Sequence, residues 1–255
     1  MNIYSNNMSR GSLIAKAGYR EEMLVINDLN QNKSLRKRLL NWFECVDLLP
    51  FQKSLDRSKI DIYNNKIRIQ IKKYKNNQFG QIDRRYVSNL IAFIPKLKSI
   101  EKYLIGMCEL PLVDGKCDKS KSVIKLNNTN YLEEELIKFI KTLNEYKMDI
   151  ITYALCGIGC KGLDLICGSN YTKANERNHL LFYKIKDVIE HLNTYDFKIR
   201  PSGTVIELGP AFTLQRKGGD NGKKEANHLQ FKLVYNKLDI KNCLLYNITN
   251  NDVNP

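Results

Sequence analysis

The sequence predicts an α/β protein with a mixed central β-sheet flanked by helices. Stretches that alternate between apolar and polar residues, as strands do, are interleaved with stretches in which apolar residues recur at helical spacing. No internal repeat and no Pro/Gly/Ser-rich linker divides the chain. With 255 residues, of which 43% are hydrophobic, the chain has ample material for a core. We therefore expect a single domain over residues 1–255.

The first half of the chain predicts helices on either side of a strand pair. Apolar residues recur at helical spacing from about residue 11 to residue 43, with an interruption at Asn30 to Lys33. Residues 59–72 predict a β-hairpin, and residues 82–106 predict a second helical segment that bends near Pro95. Residues 109–122, which are rich in Asp, Lys and Ser, predict an exposed loop.

The second half alternates between helices and strands. A helix is expected to start near Asn130, because Glu133 stands three positions later in the capping arrangement. Residues 150–155 and 163–166 predict strands, and residues 183–192 predict a helix. The last quarter predicts three further strands, at Val205–Leu208, Phe212–Arg216 and Leu229–Tyr235.

The charge balance favours a polyanionic partner. Lys and Arg number 41 against 27 Asp and Glu, which gives a net charge of +14. Nucleic acid is the commonest polyanion in a cytoplasm, although a generally Lys-, Asn- and Ile-rich proteome would also give a basic protein. No stretch approaches the ~20 apolar residues of a membrane span. The polar N-terminus does not resemble a secretion signal, so we expect a cytoplasmic protein.

The seven cysteines predict free thiols. Their number is odd, and their spacing shows no pattern of an oxidised scaffold. Cys156, Cys160 and Cys167 could form a zinc site with His179, but they lack the paired C-x2-C spacing that such sites usually show. Buried thiols are therefore the favoured interpretation.

The run from Lys59 to Lys72 alternates strictly between apolar and polar residues, which predicts two strands. Asn64-Asn65 can supply the positive φ angles of a tight turn between them. This turn would pair Tyr63 with Lys66, Ile62 with Ile67, Asp61 with Arg68 and Ile60 with Ile69. The isoleucines would then face the core. The opposite face would carry Asp61, Arg68, Gln70 and Lys72.

In that register a carboxylate, an amide oxygen and an ammonium group converge, because Asp61 lies diagonal to Gln70 and Lys72 follows on the same side. Asp61, Gln70 and the main-chain carbonyl of Ile71 would offer hard oxygen ligands to Mg²⁺. The metal would stabilise charge on a phosphate and lower the pKa of a bound water. Lys72 would orient that water or neutralise the developing charge. The trio is therefore a candidate site for phosphodiester hydrolysis.

The weak point of this set is its single carboxylate, because Gln70 is neutral and one carboxylate binds Mg²⁺ poorly. Glu22 in the first helix is the candidate for a further acid, directed at the metal or at a residue that holds it; Glu21 is adjacent to it. The alternative interpretation is an amphipathic hairpin with a solvated polar face. The alternation alone favours this alternative.

A glycine-rich segment after a predicted strand is the candidate for base recognition. Three glycines within five residues forbid regular structure there and let the backbone approach a ligand closely. Arg can donate two hydrogen bonds to guanine and Gln can contact adenine, whereas lysines suit phosphates. An exposed hairpin loop is the alternative, and a nucleotide-binding P-loop is disfavoured because no Lys followed by Ser or Thr closes it. The candidate residues are Gln215, Arg216, Lys217, Gly218, Gly219, Asp220, Asn221, Lys223 and Lys224.

Residues 81–86 are a second candidate segment for DNA contact. Backbone N–H groups at the start of a helix favour phosphate. Gln81, Arg84 and Arg85 would add polar and positive side chains beside the proposed metal site. A structural role for Asp83 and Tyr86 is the alternative.

Four blocks of this sequence, in the same order, resemble type II restriction endonucleases of the PD-(D/E)xK superfamily, in particular the small GCGC-cutting members of the HinP1I type. Glu109-Leu110-Pro111 adds a weaker match, and the last block is the most specific. The blocks are Gly11-Ser12 through Ala15-Lys16 to Gly18-Tyr19 and Glu22; Asp61 with Ile69-Gln70-Ile71-Lys72; Gln81-Ile82-Asp83; and Gln215 to Gly222, continuing to Ala226-Asn227 and Leu229-Gln230-Phe231-Lys232.

The resemblance implies a restriction-endonuclease-like core and Mg²⁺-dependent cleavage of duplex DNA at a short sequence, leaving 5′-phosphate and 3′-hydroxyl ends. Asp61 would be a metal ligand, Gln70 would stand in the place of the second acid, as Gln does in that subgroup, and Lys72 would be the catalytic lysine. The last block would enter a groove and read bases, while Gln81 would approach the DNA at a distorted point. Residues 59–90 would form the catalytic hairpin with its following helix, and residues 201–235 the recognition strands and loop.

The implied partners are double-stranded DNA and a cognate DNA methyltransferase that protects the host, with no membrane. On DNA the protein would act as a monomer or as a homodimer. The Asp61 to Gln70 interval is shorter than in the relatives, and residues 116–200 have no clear counterpart. A structure-selective or repair nuclease on the same fold, and a non-catalytic DNA-binding protein, are the alternatives.

Overall fold

The computed structural model describes residues 10–45, 49–55, 59–73, 80–114, 116–118, 121–122, 124, 133–157, 162–171, 177–217 and 228–247. These residues form a mixed six-stranded sheet, an antiparallel five-stranded sheet, a two-stranded ribbon and flanking helices. This architecture confirms the predicted α/β class. The chain divides into two compact units, Met1–Tyr74 with Gly162–Lys184 and Asn242–Pro255, and Lys75–Lys161 with Ile185–Lys241.

The helices are α1 (Arg10–Gln31), α2 (Lys33–Trp42), α3 (Val87–Phe93), α4 (Glu101–Cys108), α5 (Glu133–Glu145), α6 (Lys147–Cys156) and α7 (Ile185–Asn193). The strands are β1 (Gln52–Lys53), β2 (Ile62–Tyr63), β3 (Arg68–Lys73), β4 (Gly80–Tyr86), β5 (Leu112–Val113), β6 (Lys116–Cys117), β7 (Leu165–Tyr171), β8 (Arg177–Lys184), β9 (Phe197–Ile199), β10 (Val205–Leu208), β11 (Phe212–Arg216), β12 (His228–Leu233) and β13 (Cys243–Asn247). Among the described residues, no helix combines the length and the apolar character needed to cross a bilayer.

The first unit contains the six-stranded sheet, in the order β1-β2-β3-β7-β8-β13. β3 and β7 are parallel, and the other neighbours are antiparallel. Helices α1 and α2 cover one face, because their apolar stripe and that of β3 bury each other. Asn32 separates the two helices as predicted, since its side chain accepts a hydrogen bond from the N–H of Leu35 and caps α2. The shared core includes Val25, Leu29, Leu35, Leu39, Ile62, Ile67, Ile69 and Ile71.

The second unit contains the five-stranded antiparallel sheet, in the order β4-β12-β11-β10-β9. Helices α3 and α6 contact β4, and α4 contacts β11. The face turned towards the core carries apolar side chains at every second position, which alternation in a strand requires. They include Phe212, Leu214, Leu229, Phe231 and Leu233, all fully buried.

Three of the predicted elements are wrong. Residues 82–86 belong to strand β4 instead of a helix, because they pair with β12, which lies far along the chain. Residues 150–155 lie in helix α6 instead of a strand; the segment is buried on most sides, so its apolar run carries no period that distinguishes the two. The predicted exposed loop at 109–122 contains the paired strands β5 and β6, and its residues Leu110 and Ser122 are buried.

The other predictions agree more closely. Val205–Leu208 and Phe212–Arg216 are strands with the predicted bounds, and the predicted strand at Leu229 begins one residue earlier. The predicted strand at 163–166 and helix at 183–192 correspond to β7 and α7. The expected helix start at Asn130 lies outside the described residues. The structure describes α5 from Glu133 onwards.

Candidate active site

The hairpin predicted at residues 59–72 turns one residue later than predicted. The N–H of Asn64 donates to the carbonyl of Ile67 at 3.0 Å, so Asn65-Lys66 occupies the turn instead of Asn64-Asn65. The Asn64 side-chain oxygen also accepts from the N–H groups of Lys66 and Ile67, which is how an Asx turn ends a strand. The register shifts by two residues, which leaves the isoleucines on the core face. The observed pairs are Ile62 with Ile69 and Tyr63 with Arg68.

In the observed register, Asp61 lies against β3. The Asp61 N–H donates to the carbonyl of Ile69 at 3.0 Å, although Ile62 is the register partner of Ile69. Asp61 lies just before β2, so this hydrogen bond continues the contact with β3 beyond the paired residues. Oδ2 of Asp61 accepts a 2.6 Å hydrogen bond from the N–H of Ile71. The carboxylate therefore lies against the Gln70-Ile71-Lys72 segment.

Burial and several neighbouring groups act on the pKa of Asp61. Burial raises the pKa of the Asp61 carboxyl above its ordinary value, while the Lys72 ammonium and the hydrogen bond from Ile71 lower that pKa. The negative charge of Glu22 raises it, and the positive charge of Lys53 lowers it. The ionised carboxylate has lost water that these neighbours do not fully replace. A cation next to Asp61 would supply the missing stabilisation.

The side chain of Gln70 is buried without a hydrogen-bonding partner for its oxygen. Gln70 is 2% exposed, and its Oε1 is among the buried side-chain atoms that accept no hydrogen bond within the part of the chain that the structure describes. Such atoms are rare, and a bound ion or water or a catalytic role is the usual explanation. Alternation along β3 puts Gln70 and Lys72 on the face opposite Ile69 and Ile71. The Gln70 oxygen thus shares its face with Lys72, the lysine that the resemblance implies is catalytic.

These donors fit the Mg²⁺ site that the sequence predicted. Carboxylate, amide and main-chain carbonyl oxygens are the hard ligands that Mg²⁺ prefers, and the buried Oε1 of Gln70 is an acceptor without a partner in the described parts of the chain. Among the described residues, no group of three or more His, Cys, Asp or Glu side chains could hold a metal. The residues proposed as ligands remain Asp61, Gln70 and Ile71.

Glu22, the predicted further acid, is paired with a lysine. Its Oε2 lies 2.6 Å from Nζ of Lys53, and that ammonium stands 3.7 Å from the centre of the Tyr19 ring. The charge of Glu22 still acts on Asp61. Glu22 therefore lies beside the candidate metal site, with one of its oxygens already engaged.

The neighbouring Glu21 has a different role, which sequence reasoning missed. It is 3% exposed; its Oε1 accepts from Oγ of Ser169 at 2.7 Å and its Oε2 from Nζ of Lys73 at 3.1 Å. Lys73 and Ser169 are register partners on β3 and β7. Glu21 thus ties α1 to the strand that carries Gln70 and Lys72. Helical spacing could have shown this, because Glu21 precedes the core residues Val25 and Leu29 by four and eight positions.

We expect Glu21→Gln to slow DNA cleavage by about 10- to 100-fold, the range for residues that support a metal site, because it weakens the anchor of β3. Single-turnover experiments measure the rate of cleavage by the variant. The affinity for DNA should stay constant, because Glu21 is buried. The matched control is Glu134→Gln on the exposed side of α5, which should cut normally. A wild-type rate for Glu21→Gln would show that the anchor is dispensable.

The second candidate segment lies on β4 in the other unit. Gln81 and Arg84 are exposed, and Oδ1 of Asp83 accepts from the N–H of Arg84 at 2.7 Å. Nε of Arg85 lies 3.1 Å from Oδ2 of the same aspartate. Asp83 is buried and so organises the strand, which supports its structural interpretation. The Tyr86 ring stacks on His228 of β12, at 3.8 Å between centroids.

The residues before the glycine-rich segment lie on β11 and just beyond it. Nε of Arg216 donates to the carbonyl of Cys108 at 2.8 Å, and Nη1 donates to the carbonyl of Lys217 at 3.1 Å. Alternation puts Arg216 on the sheet face opposite Gln215. The remaining candidates lie outside the described residues; they are Gly218, Gly219, Asp220, Asn221, Lys223 and Lys224.

Five cysteines of the described residues form no disulfide, as predicted. They are Cys45, Cys108, Cys156, Cys167 and Cys243. Burial raises the pKa of the Cys108 thiol to about 12, so this thiol stays protonated at neutral pH. Cys160 of the alternative zinc set lies outside the described residues.

Comparison with known proteins identifies the family. The model of the R.HinP1I restriction endonuclease family matches residues 52–238, a range that includes the catalytic hairpin, β4 and the two strands that flank the glycine-rich segment. A search of curated proteins gave no match to this chain. Since the family match covers most of the chain and agrees with the site geometry, the protein belongs to the R.HinP1I restriction endonuclease family and is a type II restriction endonuclease, whose substrate is DNA.

Proposed function

We propose that this restriction endonuclease is a Mg²⁺-dependent enzyme that hydrolyses phosphodiester bonds in double-stranded DNA at a short, G/C-rich, GCGC-like sequence. The observation that carries the metal dependence is the buried Oε1 of Gln70, which accepts no hydrogen bond from any described residue and lies on the strand that receives the Asp61 carboxylate. The residues that resemble those of GCGC-cutting relatives support the target sequence.

Asp61, Gln70 and the carbonyl of Ile71 would hold the metal. Bound there, Mg²⁺ would stabilise negative charge on the phosphate and lower the pKa of its water. Lys72, whose charge acts on Asp61, would neutralise charge that develops at the phosphate. Glu22 would add negative charge beside the site, and Glu21 would hold β3 in place.

Plasmid incubation with the pure protein and Mg²⁺ tests the proposal. Discrete fragments, abolished by EDTA, are the expected result, and mapping of their ends gives the sequence and the cut position. A smear, or cleavage at junctions alone, would support a structure-selective or repair nuclease on the same fold. Binding without cleavage would support a non-catalytic DNA-binding protein.

A DNA methyltransferase of the same specificity is the proposed genetic partner. Plasmid methylated at the mapped site should resist cleavage, because a methyl group added to a base edge changes the contact that the enzyme reads. Sedimentation of the protein with a short duplex would show whether one chain or two bind the site.

We expect Arg216→Ala to weaken site-specific binding far more than nonspecific binding. A bidentate guanine contact discriminates by about 1–3 kcal/mol, and the guanidinium also fixes the end of β11 through the carbonyls of Cys108 and Lys217. Measurements of binding to cognate and scrambled duplexes over a salt series give the site-specific and the nonspecific affinity. Equal losses on the two duplexes, with a smaller salt slope, would identify Arg216 as a phosphate contact.

A further inference from the structure

Three glutamines form a row across neighbouring strands of the five-stranded sheet. Gln215 on β11 and Gln230 on β12 are register partners, and Gln81 lies on β4. Nε2 of Gln215 donates to Oε1 of Gln230 at 3.4 Å, and Nε2 of Gln230 donates to Oε1 of Gln81 at 2.6 Å. Gln81 is exposed and the other two are half-buried, so the row lies at the surface.

A register shift puts Gln81 into this row. Phe231 faces Asp83, and a regular antiparallel ladder would then place Ile82 opposite Lys232. Instead Gln81 is opposite Lys232, because the register shifts between Phe231 and Lys232. Since side chains alternate between faces, the shift moves Gln81 to the face that carries Gln230, while Ile82 is buried.

The hydrogen bonds within the row occupy its oxygens and leave N–H groups available. Oε1 of Gln230 and Oε1 of Gln81 each accept from the preceding amide, and Oε1 of Gln215 accepts from Oγ1 of Thr213 at 3.5 Å. Each amide nitrogen has two N–H groups, and the row itself uses one on Gln215, one on Gln230 and none on Gln81. The surface of the row is therefore rich in donors.

A row of donors distinguishes between base edges. In the major groove guanine presents two acceptors, O6 and N7, whereas adenine and cytosine each present an amino donor. Gln230 has both its oxygen and its nitrogen engaged, so it does not offer the paired donor and acceptor that adenine requires. Its hydrogen bonds instead fix the orientation of the amides on either side.

We infer that Gln230 is a positioning residue for base specificity, which orients the amides of Gln81 and Gln215 so that their N–H groups face the DNA and select guanine. This inference rests on the proposed cleavage at G/C-rich sites and names the residue behind part of that preference. A row that merely fills the sheet surface would have no effect on which base is preferred.

Gln230→Glu tests this orientation. A carboxylate offers acceptors alone, so Gln81 must turn to donate to it and would present Oε1 outwards. We expect guanine preference at one base pair to fall roughly 5- to 150-fold, towards bases with an amino donor. Cleavage of a library with randomised target sites, followed by sequencing of the cut ends, measures preference independently of total activity. Gln230→Leu, which orients neither neighbour, should relax the same position without a new preference.

Two further variants separate the possible outcomes. Gln81→Glu, at the exposed end of the row, keeps the hydrogen bond from Gln230 and presents an acceptor, so it should change the same base pair even if Gln230 variants do not fold. Gln52→Glu, on an exposed site of β1, is the matched charge control and should keep wild-type preference. Wild-type preference in the folded Gln230 and Gln81 variants would overturn the inference. Failure of the proposed function would instead show as a wild-type protein that does not cut with Mg²⁺.

Discussion

Replacing Asp61 with Asn is expected to abolish Mg²⁺-dependent cleavage and, at neutral pH without metal, to raise the melting temperature. Asp61 is the one carboxylate of the candidate ligand set, so Asn leaves Mg²⁺ without a charged ligand there. Burial raises the pKa of Asp61, which means that the folded protein holds the ionised carboxyl less favourably than the unfolded chain does. A neutral side chain of the same shape removes that penalty.

The raised pKa of Asp61 also determines how the stability gained by Asp61→Asn changes with pH. An acid whose pKa is raised by folding binds its proton more tightly in the folded state, so stability falls as the pH rises from the ordinary value of 3.8 through the raised value. At pH values above the raised pKa, the folded protein bears the full free-energy cost of the buried, ionised carboxylate. The gain in melting temperature from Asp61→Asn should therefore be present at neutral pH and disappear below about pH 3.8.

Thermal melts with and without Mg²⁺ measure both effects. Mg²⁺ should raise the melting temperature of the wild-type protein, because a ligand that binds the folded state stabilises it, and should leave Asp61→Asn unchanged. Asp164→Asn is the matched control, because burial also raises the pKa of Asp164, which accepts from the N–H of Arg68 in the same unit. That variant should keep the Mg²⁺ effect. Site-specific cleavage by Asp61→Asn, or an unchanged Mg²⁺ effect, would contradict the assigned ligand.

The catalytic hairpin shows how far the sequence could predict the site. Alternation identified the strands and their faces, because a period of two depends on local residues alone. The alternation did not locate the turn. The Asn64 side chain closes an Asx turn, which moves the turn of the hairpin by one residue. The predicted assignment of side chains to the two faces remained correct, because a register shift of two residues leaves each side chain on the same face. The hydrogen bond from the N–H of Ile71 to the Asp61 carboxylate depends on how the strands pair, which alternation alone does not determine.

The parts that the sequence did not predict depend on distant partners. β4 is a strand because β12 pairs with it, and the two segments are separated by most of the second unit. The row of glutamines requires that pairing and its register shift together, so no local pattern could indicate it. Helix α6 was missed for the opposite reason, because a segment buried on most sides carries no amphipathic period.

Lys72→Ala is expected to reduce the rate of cleavage by about 10²- to 10³-fold, the loss that follows removal of one group that stabilises transition-state charge. DNA binding should remain largely intact and salt-sensitive, because many other cations of this protein, with its net charge of +14, can contact phosphates. Single-turnover cleavage and equilibrium binding in metal-free buffer separate the two quantities. Lys66→Ala, on the exposed turn of the same hairpin, removes the same charge and should cut normally.

The pH profile of the residual activity distinguishes Lys72 from a general phosphate contact. The Lys72 ammonium lowers the pKa of Asp61, so its removal should raise that pKa further. Because the proposed metal ligand is the ionised Asp61 carboxylate, the acidic limb of the Lys72→Ala profile should move to higher pH, while the profile of Lys66→Ala should match that of the wild type. A lower rate with an unmoved acidic limb would mean that Lys72 acts apart from Asp61. A wild-type rate for Lys72→Ala would show that this hairpin is not the active site.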